Sequence, residues 1–360
     1  MKKNIMLMAG PTALPECEIK AMDRQVIFHR SQEFEDITKE LNANLKKVFK
    51  TKQEVMVLTG SGTAAMEATI QNCFSPGDEV IAVVIGVFSK RMADMAEVYG
   101  LNVIRVEKPN GEVALVEDVL AKMTDKTKGV FVVHNESATG VTSDIQAFGE
   151  ALKDTNALLC VDTVSGIGAL DFAFDEWHVD VAFASSQKAL MGAPGTAVIC
   201  LSEKAWEATK TSKFPKFYLN LTLARDFGVK GQHPWTPAVF SIIGLNESVK
   251  MICEEGIDNV IARNTELSDM VVKGLAKLGI HLFAKDPVYA SKSVNTFYYE
   301  KSPQFVAKLK EEFGIEIYNG QADLHDTTFR VGTMGYVAKT DIAAFLYAAE
   351  QVVKELEAED

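Results

Sequence analysis

Cysteine is scarce and scattered. The 360 residues hold five, Cys17, Cys73, Cys160, Cys200 and Cys253, and no two form a CxxC pair. An odd, widely spaced set argues against a disulfide framework and against a zinc site, and its simplest setting is a reducing cytoplasm. Basic charge is also short: 37 lysines and arginines face 49 aspartates and glutamates, for a net charge of -12. That balance argues against a nucleic-acid surface, which must release counterions, and leaves room only for a local basic pocket for one small anion. No run approaches the roughly 18 apolar residues of a membrane span. The apolar stretch from Ile5 to Ala9 stops at Gly10-Pro11, too soon for the core of a signal peptide, so neither membrane nor nucleic acid is expected as a partner.

What is present is the composition of an ordinary folded protein, 47% hydrophobic and 24% charged. A chain of this length can bury a large core and divide into a large and a small part. Pro11 and Pro15 punctuate an extended opening over residues 1–15. Phe34, Ile37, Leu41, Leu45, Val48 and Phe49 recur at spacings of three and four, which predicts an amphipathic helix. Strand-like runs at 55–58, 80–84, 103–106, 130–133, 158–161, 181–184 and 196–201 then alternate with helical ones at 64–74, 88–99 and 116–123. A further helix is opened by the capping box Ser143-x-x-Gln146. This rhythm predicts an α/β fold, a mostly parallel sheet wrapped by helices, as a large domain over 16–255. Beyond Trp235 come long helices over 238–255 and 257–278, then strands at 280–283, 294–299, 315–318 and 328–331. With a helix capped by Ser302 and carrying Pro303 at its first position, and another from Thr340, they predict a small α+β domain over 256–360.

One lysine stands out. Lys188 lies in a short polar turn between the buried-strand runs Val181-Ala182-Phe183-Ala184 and Thr196 to Leu201, followed by Gly192, Pro194 and Gly195. Strand ends that give way to loops are where α/β sheets put ligands, and a desolvated amine there condenses readily with a carbonyl. A lysine snorkelling into water is the plainer reading.

Other strand ends carry polar groups. Thr59-Gly60-Ser61-Gly62-Thr63 follows a strand and opens a helix, a place where glycines and free N–H groups attract phosphate. It also satisfies the dinucleotide pattern GxGxxA, but the acid expected about 20 residues on, at the end of the next strand, is missing; a simple helix-capping turn is the third reading. Asp162, in Cys160-Val161-Asp162-Thr163-Val164-Ser165-Gly166, is a carboxylate ending a buried strand, where it needs a cation or proton donor. A protonated ring nitrogen, a turn N–H or a structural arginine would each serve. His134-Asn135-Glu136-Ser137-Ala138-Thr139-Gly140 offers hydrogen bonds to a ring substituent, and Phe88 in Gly86-Val87-Phe88-Ser89-Lys90-Arg91 a ring face, or plain core. Arg330 sits inside the apolar strand Thr328-Phe329-Arg330-Val331-Gly332, where a carboxylate or a structural salt bridge would meet its demand.

The strand ends thus offer a lysine, an aspartate, a phosphate cradle, a stacking aromatic and a buried arginine, and the first three are what pyridoxal phosphate requires: a Schiff-base lysine, a carboxylate on the pyridine nitrogen and a phosphate site. The segments SGT, HxESxTG, VDxVSxxG and SQKAL-x3-PG, in that order, resemble a class V aminotransferase of pyridoxal-phosphate fold type I. The similarity runs from Gly10-Pro11 through Arg330, towards the alanine–glyoxylate and serine–pyruvate aminotransferases, with 2-aminoethylphosphonate–pyruvate transaminases as near relatives. It implies a large domain with a seven-stranded, mostly parallel sheet plus a small C-terminal domain, and pyridoxal 5'-phosphate as cofactor with no metal. By the same resemblance Lys188 is the Schiff-base lysine and proton shuttle, Asp162 the partner of the pyridine nitrogen, and Phe88 the stacking residue. Ser61, Gly62, Thr63 and Gln187 hold the phosphate, Ser137 reaches the ring hydroxyl region, Val164 covers the opposite ring face and Arg330 binds the substrate carboxylate. His233 and Thr236, in His233-Pro234-Trp235-Thr236-Pro237, complete the phosphate site of the neighbouring subunit in a homodimer. Some relatives carry Trp at the position of Phe88 and Tyr at that of His233.

The implied activity is transfer of an amino group from a small amino acid, alanine or serine, to a 2-oxo acid, glyoxylate or pyruvate. No second arginine stands in a recognisable motif for a distal acid. A 2-aminoethylphosphonate donor is the alternative. A desulfurase-like lyase needs a cysteine on a late mobile loop, and no cysteine follows Cys253.

Overall fold

The computed structural model describes residues 4–358; the outermost ends of the expected N-terminal and C-terminal units, residues 1–3 and 359–360, lie outside the described residues. In chain order the first half runs β1 (Ile5–Met6), α1 (Glu16–Met22), α2 (Gln32–Phe49), β2 (Val55–Thr59), α3 (Gly62–Cys73), β3 (Glu79–Val84) and α4 (Val87–Val98). It continues through β4 (Asn102–Glu107), α5 (Val116–Leu120), β5 (Thr127–Val133), β6 (Asn135–Glu136), β7 (Val141–Thr142), α6 (Ile145–Leu152) and β8 (Leu158–Asp162). The second half runs β9 (Val181–Ser185), β10 (Thr196–Leu201), α7 (Glu203–Thr209), α8 (Leu221–Gly228), α9 (Val239–Glu255) and α10 (Ile257–Ala276). It ends with β11 (His281–Leu282), β12 (Val294–Tyr298), α11 (Ser302–Phe313), β13 (Ile315–Glu316), β14 (Tyr318–Asn319), β15 (Thr328–Gly332) and α12 (Lys339–Ala358).

The large sheet has seven strands in the order β2-β10-β9-β8-β5-β3-β4. Only β10 runs against the rest, antiparallel to both β2 and β9. Side chains alternate across the pleat, and the two faces bury separate cores. Val57, Val83, Val132 and Val161 point into one, while Met56, Val84, Phe131 and Cys160 point into the other. Burial on both faces is why these strands read as unbroken apolar runs. Helix α2 covers one face, with Phe34, Leu41, Leu45, Val48 and Phe49 buried and Ser31 accepting from the Phe34 N–H at its start.

Because every strand but β10 runs the same way, the C-terminal ends of six strands share one edge with the start of β10. Val133 pairs with Asp162, Asp162 with Phe183, and Ser185 with Ala197. A third core gathers Leu267, Val271, Phe297, Phe305, Phe329 and Phe345 with Leu7 from the N-terminal segment, around the antiparallel sheet β11-β12-β15-β14. Strand β1 pairs parallel with β13 in a separate two-stranded sheet whose Ile5 and Ile315 pack on this core.

Several local expectations are corrected. The cap of α6 is Asp144, whose carboxylate accepts from the Ala147 N–H at 2.9 Å; the Ser143 N–H instead bonds the His134 carbonyl, which keeps that residue outside the helix. Lys301, not Ser302, is the N-cap of α11, which moves Pro303 to the second helical position. The Ser302 hydroxyl turns inward to donate to the Thr328 carbonyl at 2.7 Å. The strand expected over 315–318 breaks at Ile317, because its first half pairs with β1 and its second half with β15. The strand expected over 280–283 shrinks to His281–Leu282.

Candidate active site

Lys188 follows β9 in a tight turn closed by the Met191 N–H on the Lys188 carbonyl and the Gly192 N–H on the Ser186 carbonyl. The N-terminal segment straps it down. The Thr12 N–H donates to the Gln187 carbonyl, the Thr12 hydroxyl donates to the Lys188 carbonyl at 2.9 Å, and Lys188 Nζ donates to the Ala9 carbonyl at 2.5 Å. Burial, reinforced by the Arg330 and Arg91 charges and opposed by Asp162, pushes the Lys188 amine down to about 8.

Asp162 ends β8 almost wholly buried and accepts from the Val164 N–H at 2.9 Å. Burial is the main cause that pushes its carboxyl up to about 7. Glu136 pushes the same way, and the nearby Lys188 and Arg91 charges oppose it. Such an acid ionises fully only when a cationic or protonated partner arrives.

The candidate phosphate cradle stands beside it. Ser61 flanks the start of α3 without using its hydroxyl as a cap. A Cβ placed on Gly62 would lie 2.7 Å from Val164 Cγ2 and 3.4 Å from Ser185 Cβ, so only glycine lets helix and strand ends close up here. The Ser185 hydroxyl donates to the Gln187 side-chain oxygen. Arg91 reaches Thr63 Oγ1 at 3.5 Å while its guanidinium covers the Phe88 ring at 4.8 Å, which brings a cation to the cradle.

Phe88 is placed by Glu136. That buried carboxylate accepts from the Phe88 N–H at 3.0 Å and from the Ser89 N–H and hydroxyl at 2.9 Å each, capping α4 from a neighbouring strand end. Ser137 meets Ser165, hydroxyl to hydroxyl, at 2.6 Å, and Asn135 donates to the same Ser165 hydroxyl at 2.8 Å. His134 is buried against Thr163 Oγ1 at 3.0 Å and is pushed down to about 4 by burial, so it is neutral at pH 7. Arg330, from β15, donates to the Asn319 carbonyl at 3.1 Å and to the Ser137 carbonyl at 3.4 Å. Burial brings its guanidinium down to about 10, with Glu136 as the opposing negative charge.

Lys188, Arg330, Phe88 and Ser137 therefore line one cavity, completed by Ala9, Gly10, Tyr318 and Gln321. His233 and Thr236 are not brought to it. They line a separate hollow with Thr38, Asn42 and Tyr218, where His233 is buried 5.9 Å from Phe34 and pushed down to about 4 by burial. Among the described residues no group of His, Cys, Asp and Glu is placed to hold a metal.

Several contributors have no assigned role in the sequence reading: Gly10, Thr12, Arg91, Glu136, Ser165, Tyr318 and Gln321. Arg91 and Glu136 stood inside motifs already singled out, and the i, i+3 spacing of Phe88 and Arg91 on one helix was a usable signal. Gln321 had none, because its neighbours come from distant parts of the chain.

A desolvated amine, a buried acid, a glycine-opened helix start with hydroxyls, and a guanidinium beside the amine can together hold a phosphorylated aromatic ring and an anionic substrate. Residues 6–345 match the family described as Aminotransferase class-V. The chain is 36% identical to the L-aspartate–glyoxylate aminotransferase of Paracoccus denitrificans, over 98% of this chain and 92% of that one. It is 33% identical to the serine–glyoxylate aminotransferase of Arabidopsis thaliana, over 98% and 90%. The crystal structure of an alanine–glyoxylate aminotransferase from Nostoc sp. superposes with a TM-score of 0.93 at 28% identity, over 98% of this chain and 96% of that one. The chain belongs to the class V aminotransferases.

Proposed function

We propose that this aminotransferase uses pyridoxal 5'-phosphate to move the amino group of a small amino acid, alanine or serine, to glyoxylate or pyruvate. The observation that carries the reading is the meeting of Lys188 and Arg330 in one cavity, within electrostatic reach of the buried acid Asp162. The residues present fit the cofactor. Asp162 is an acid in want of a cationic partner, and the space left by Gly62 is one that any Cβ would fill. The relatives named for serine, alanine and aspartate with glyoxylate support the substrate class.

Bound pyridoxal phosphate supplies an electron sink conjugated to the substrate nitrogen. Lys188 would hold it covalently, Asp162 would keep its ring nitrogen protonated, and Phe88 and Val164 would enclose the ring faces. Ser61, Gly62, Thr63 and Gln187, with the start of α3, would hold the phosphate, and Ser137 would reach the ring hydroxyl. Arg330 would orient the substrate carboxylate with its planar fork. Lys188 Nζ, whose proton is held less tightly than in water, would then move the proton off the substrate α-carbon.

His233 and Thr236 would complete the phosphate site of a second copy in a homodimer. Their distance from the Lys188 cavity supports this, as does the stacked pair Phe217–Trp235 at 4.7 Å, whose Phe217 is 74% exposed. The cysteines, all unpaired, suit a reducing cytoplasm, and among the described residues no helix is long and apolar enough to cross a membrane. No feature of the cavity favours a phosphonate donor. A desulfurase is disfavoured because Cys253 bonds the Asn44 carbonyl and does not line the cavity.

A screen of amino donors and 2-oxo acceptors on purified protein, read through the visible spectrum of bound cofactor, tests the proposal. Alanine or serine should change the spectrum, glyoxylate or pyruvate should restore it, and Lys188→Ala should abolish turnover in a folded protein. Steady-state transamination by Lys188→Ala would remove the reading.

A further inference from the structure

The cavity holds two polar side chains that the proposed chemistry does not use, and one of them, Tyr318, is 52% exposed and open to solvent. Arg330 is reserved for the α-carboxylate, Lys188 for the α-proton, and the Ser137 hydroxyl, bonded to Ser165 at 2.6 Å, for the ring hydroxyl. Gln321 is left, and its side-chain carbonyl oxygen is buried without a hydrogen-bond partner. An unsatisfied buried polar atom is costly, and in a ligand cavity it marks a place for a ligand group.

The backbone holds this amide at a fixed spacing from Arg330. Gln321 lies between β14 and β15, in a loop closed by the Gly320 N–H on the Thr328 carbonyl at 2.7 Å and the Leu324 N–H on the Gln321 carbonyl at 3.0 Å. The Thr328 hydroxyl donates to the Leu324 carbonyl at 2.8 Å. A Cβ on Gly320 would lie 2.1 Å from Thr328 Oγ1, so the loop packs directly on the strand that carries Arg330. Ala322 is held at a φ of 52°, a left-handed conformation that a non-glycine residue adopts only when its surroundings impose it.

We propose that Gln321 reads the side chain of the amino donor and selects a hydroxyl at the β-carbon, favouring serine over alanine; this rests on the aminotransferase reading above. A serine hydroxyl both donates and accepts, so it suits either end of an amide. The methyl of alanine offers nothing, and a site built to bond a hydroxyl discriminates against the analogue that lacks it. A second carboxylate on the donor finds only Lys188 and Arg330 as charged side chains lining the cavity, since the nearby Arg91 lies over Phe88 and at the Thr63 hydroxyl beside the phosphate cradle.

The test compares kcat/KM for serine, alanine and aspartate with glyoxylate as acceptor, in the wild type and in Gln321→Met, which keeps length and loses the amide. The wild type should prefer serine to alanine by up to about ten-fold, the upper worth of a neutral hydrogen bond. In Gln321→Met that serine-to-alanine ratio should fall by about the same factor, mainly through KM. A wild-type ratio near one overturns the proposal whether or not the variant folds. A parallel loss with both donors overturns it too, as does a wild-type preference for aspartate that Gln321→Met abolishes. Absence of turnover with every donor would instead remove the aminotransferase reading.

Discussion

Gly10 leaves the space that the Lys188 side chain occupies: a Cβ built on Gly10 would lie 2.3 Å from Lys188 Nζ and 2.5 Å from its Cδ. The backbone there has a φ of 113°, which L side chains rarely adopt. Gly10→Ala should therefore displace the amine and lower kcat/KM by about a hundred-fold, the effect of misplacing a reacting group by about 1 Å. Its melting temperature should fall as well, since the strained conformation costs ~1–3 kcal/mol. Unchanged kinetics in this variant would mean that the strap over Lys188 moves aside freely.

The Asp162 carboxyl, held up at about 7 by burial, lies above its unfolded value of about 4. Between those values the folded cofactor-free protein binds more protons than the unfolded chain. The contribution of Asp162 to stability should therefore decline as pH rises from about 4 to about 7, by a few kcal/mol, and level off above, while buried His134 and His233 contribute the opposite trend. Asp162→Asn should remove this decline when melting is followed without cofactor across that range. With cofactor the same variant should turn over slower by orders of magnitude, because a neutral amide does not hold the ring proton. A gap between wild type and variant that is flat with pH would show an ionised aspartate.

Arg330→Lys keeps the charge and removes the planar fork. The apparent KM for alanine or serine should rise by about ten-fold or more, the worth of a charge-assisted bond of ~1.5–3 kcal/mol. An unchanged KM would place the substrate carboxylate elsewhere.

Mixing Lys188→Ala with Thr236→Ala protomers tests whether two copies share sites. A heterodimer with shared sites holds one site carrying both changes and one carrying neither, so activity should return on mixing. No recovery after demonstrated subunit exchange would confine each site to one chain.

The helices and strands were legible where burial repeats with the period of the element. The spacing of Phe34, Leu41, Leu45 and Val48 is the buried face of α2, and the unbroken runs of β8, β9 and β10 are strands covered on both sides. Ends were less legible. Asp144 and Ser143 are both able caps, and the choice fell to the residue whose backbone was free of the neighbouring strand. Ile317 breaks a predicted strand because its two flanks find partners in different sheets, which no local pattern encodes.

For the site, the sequence alone placed Lys188, Asp162 and the Ser61–Thr63 turn at strand ends, since chain alternation puts those ends on one edge. Only the tertiary structure decided what touches them. Lys188 Nζ meets the Ala9 carbonyl across 179 residues, and Arg330 meets the Ser137 carbonyl across 193. Such contacts arise from the packing of the N-terminal segment and β15 against the sheet edge, and periodicity carries no information about partners that distant. The same holds for Glu136, whose burial and four hydrogen-bond donors come from α4 and its own turn, and for Gln321, whose unpartnered side-chain oxygen has meaning only once the cavity around it has formed.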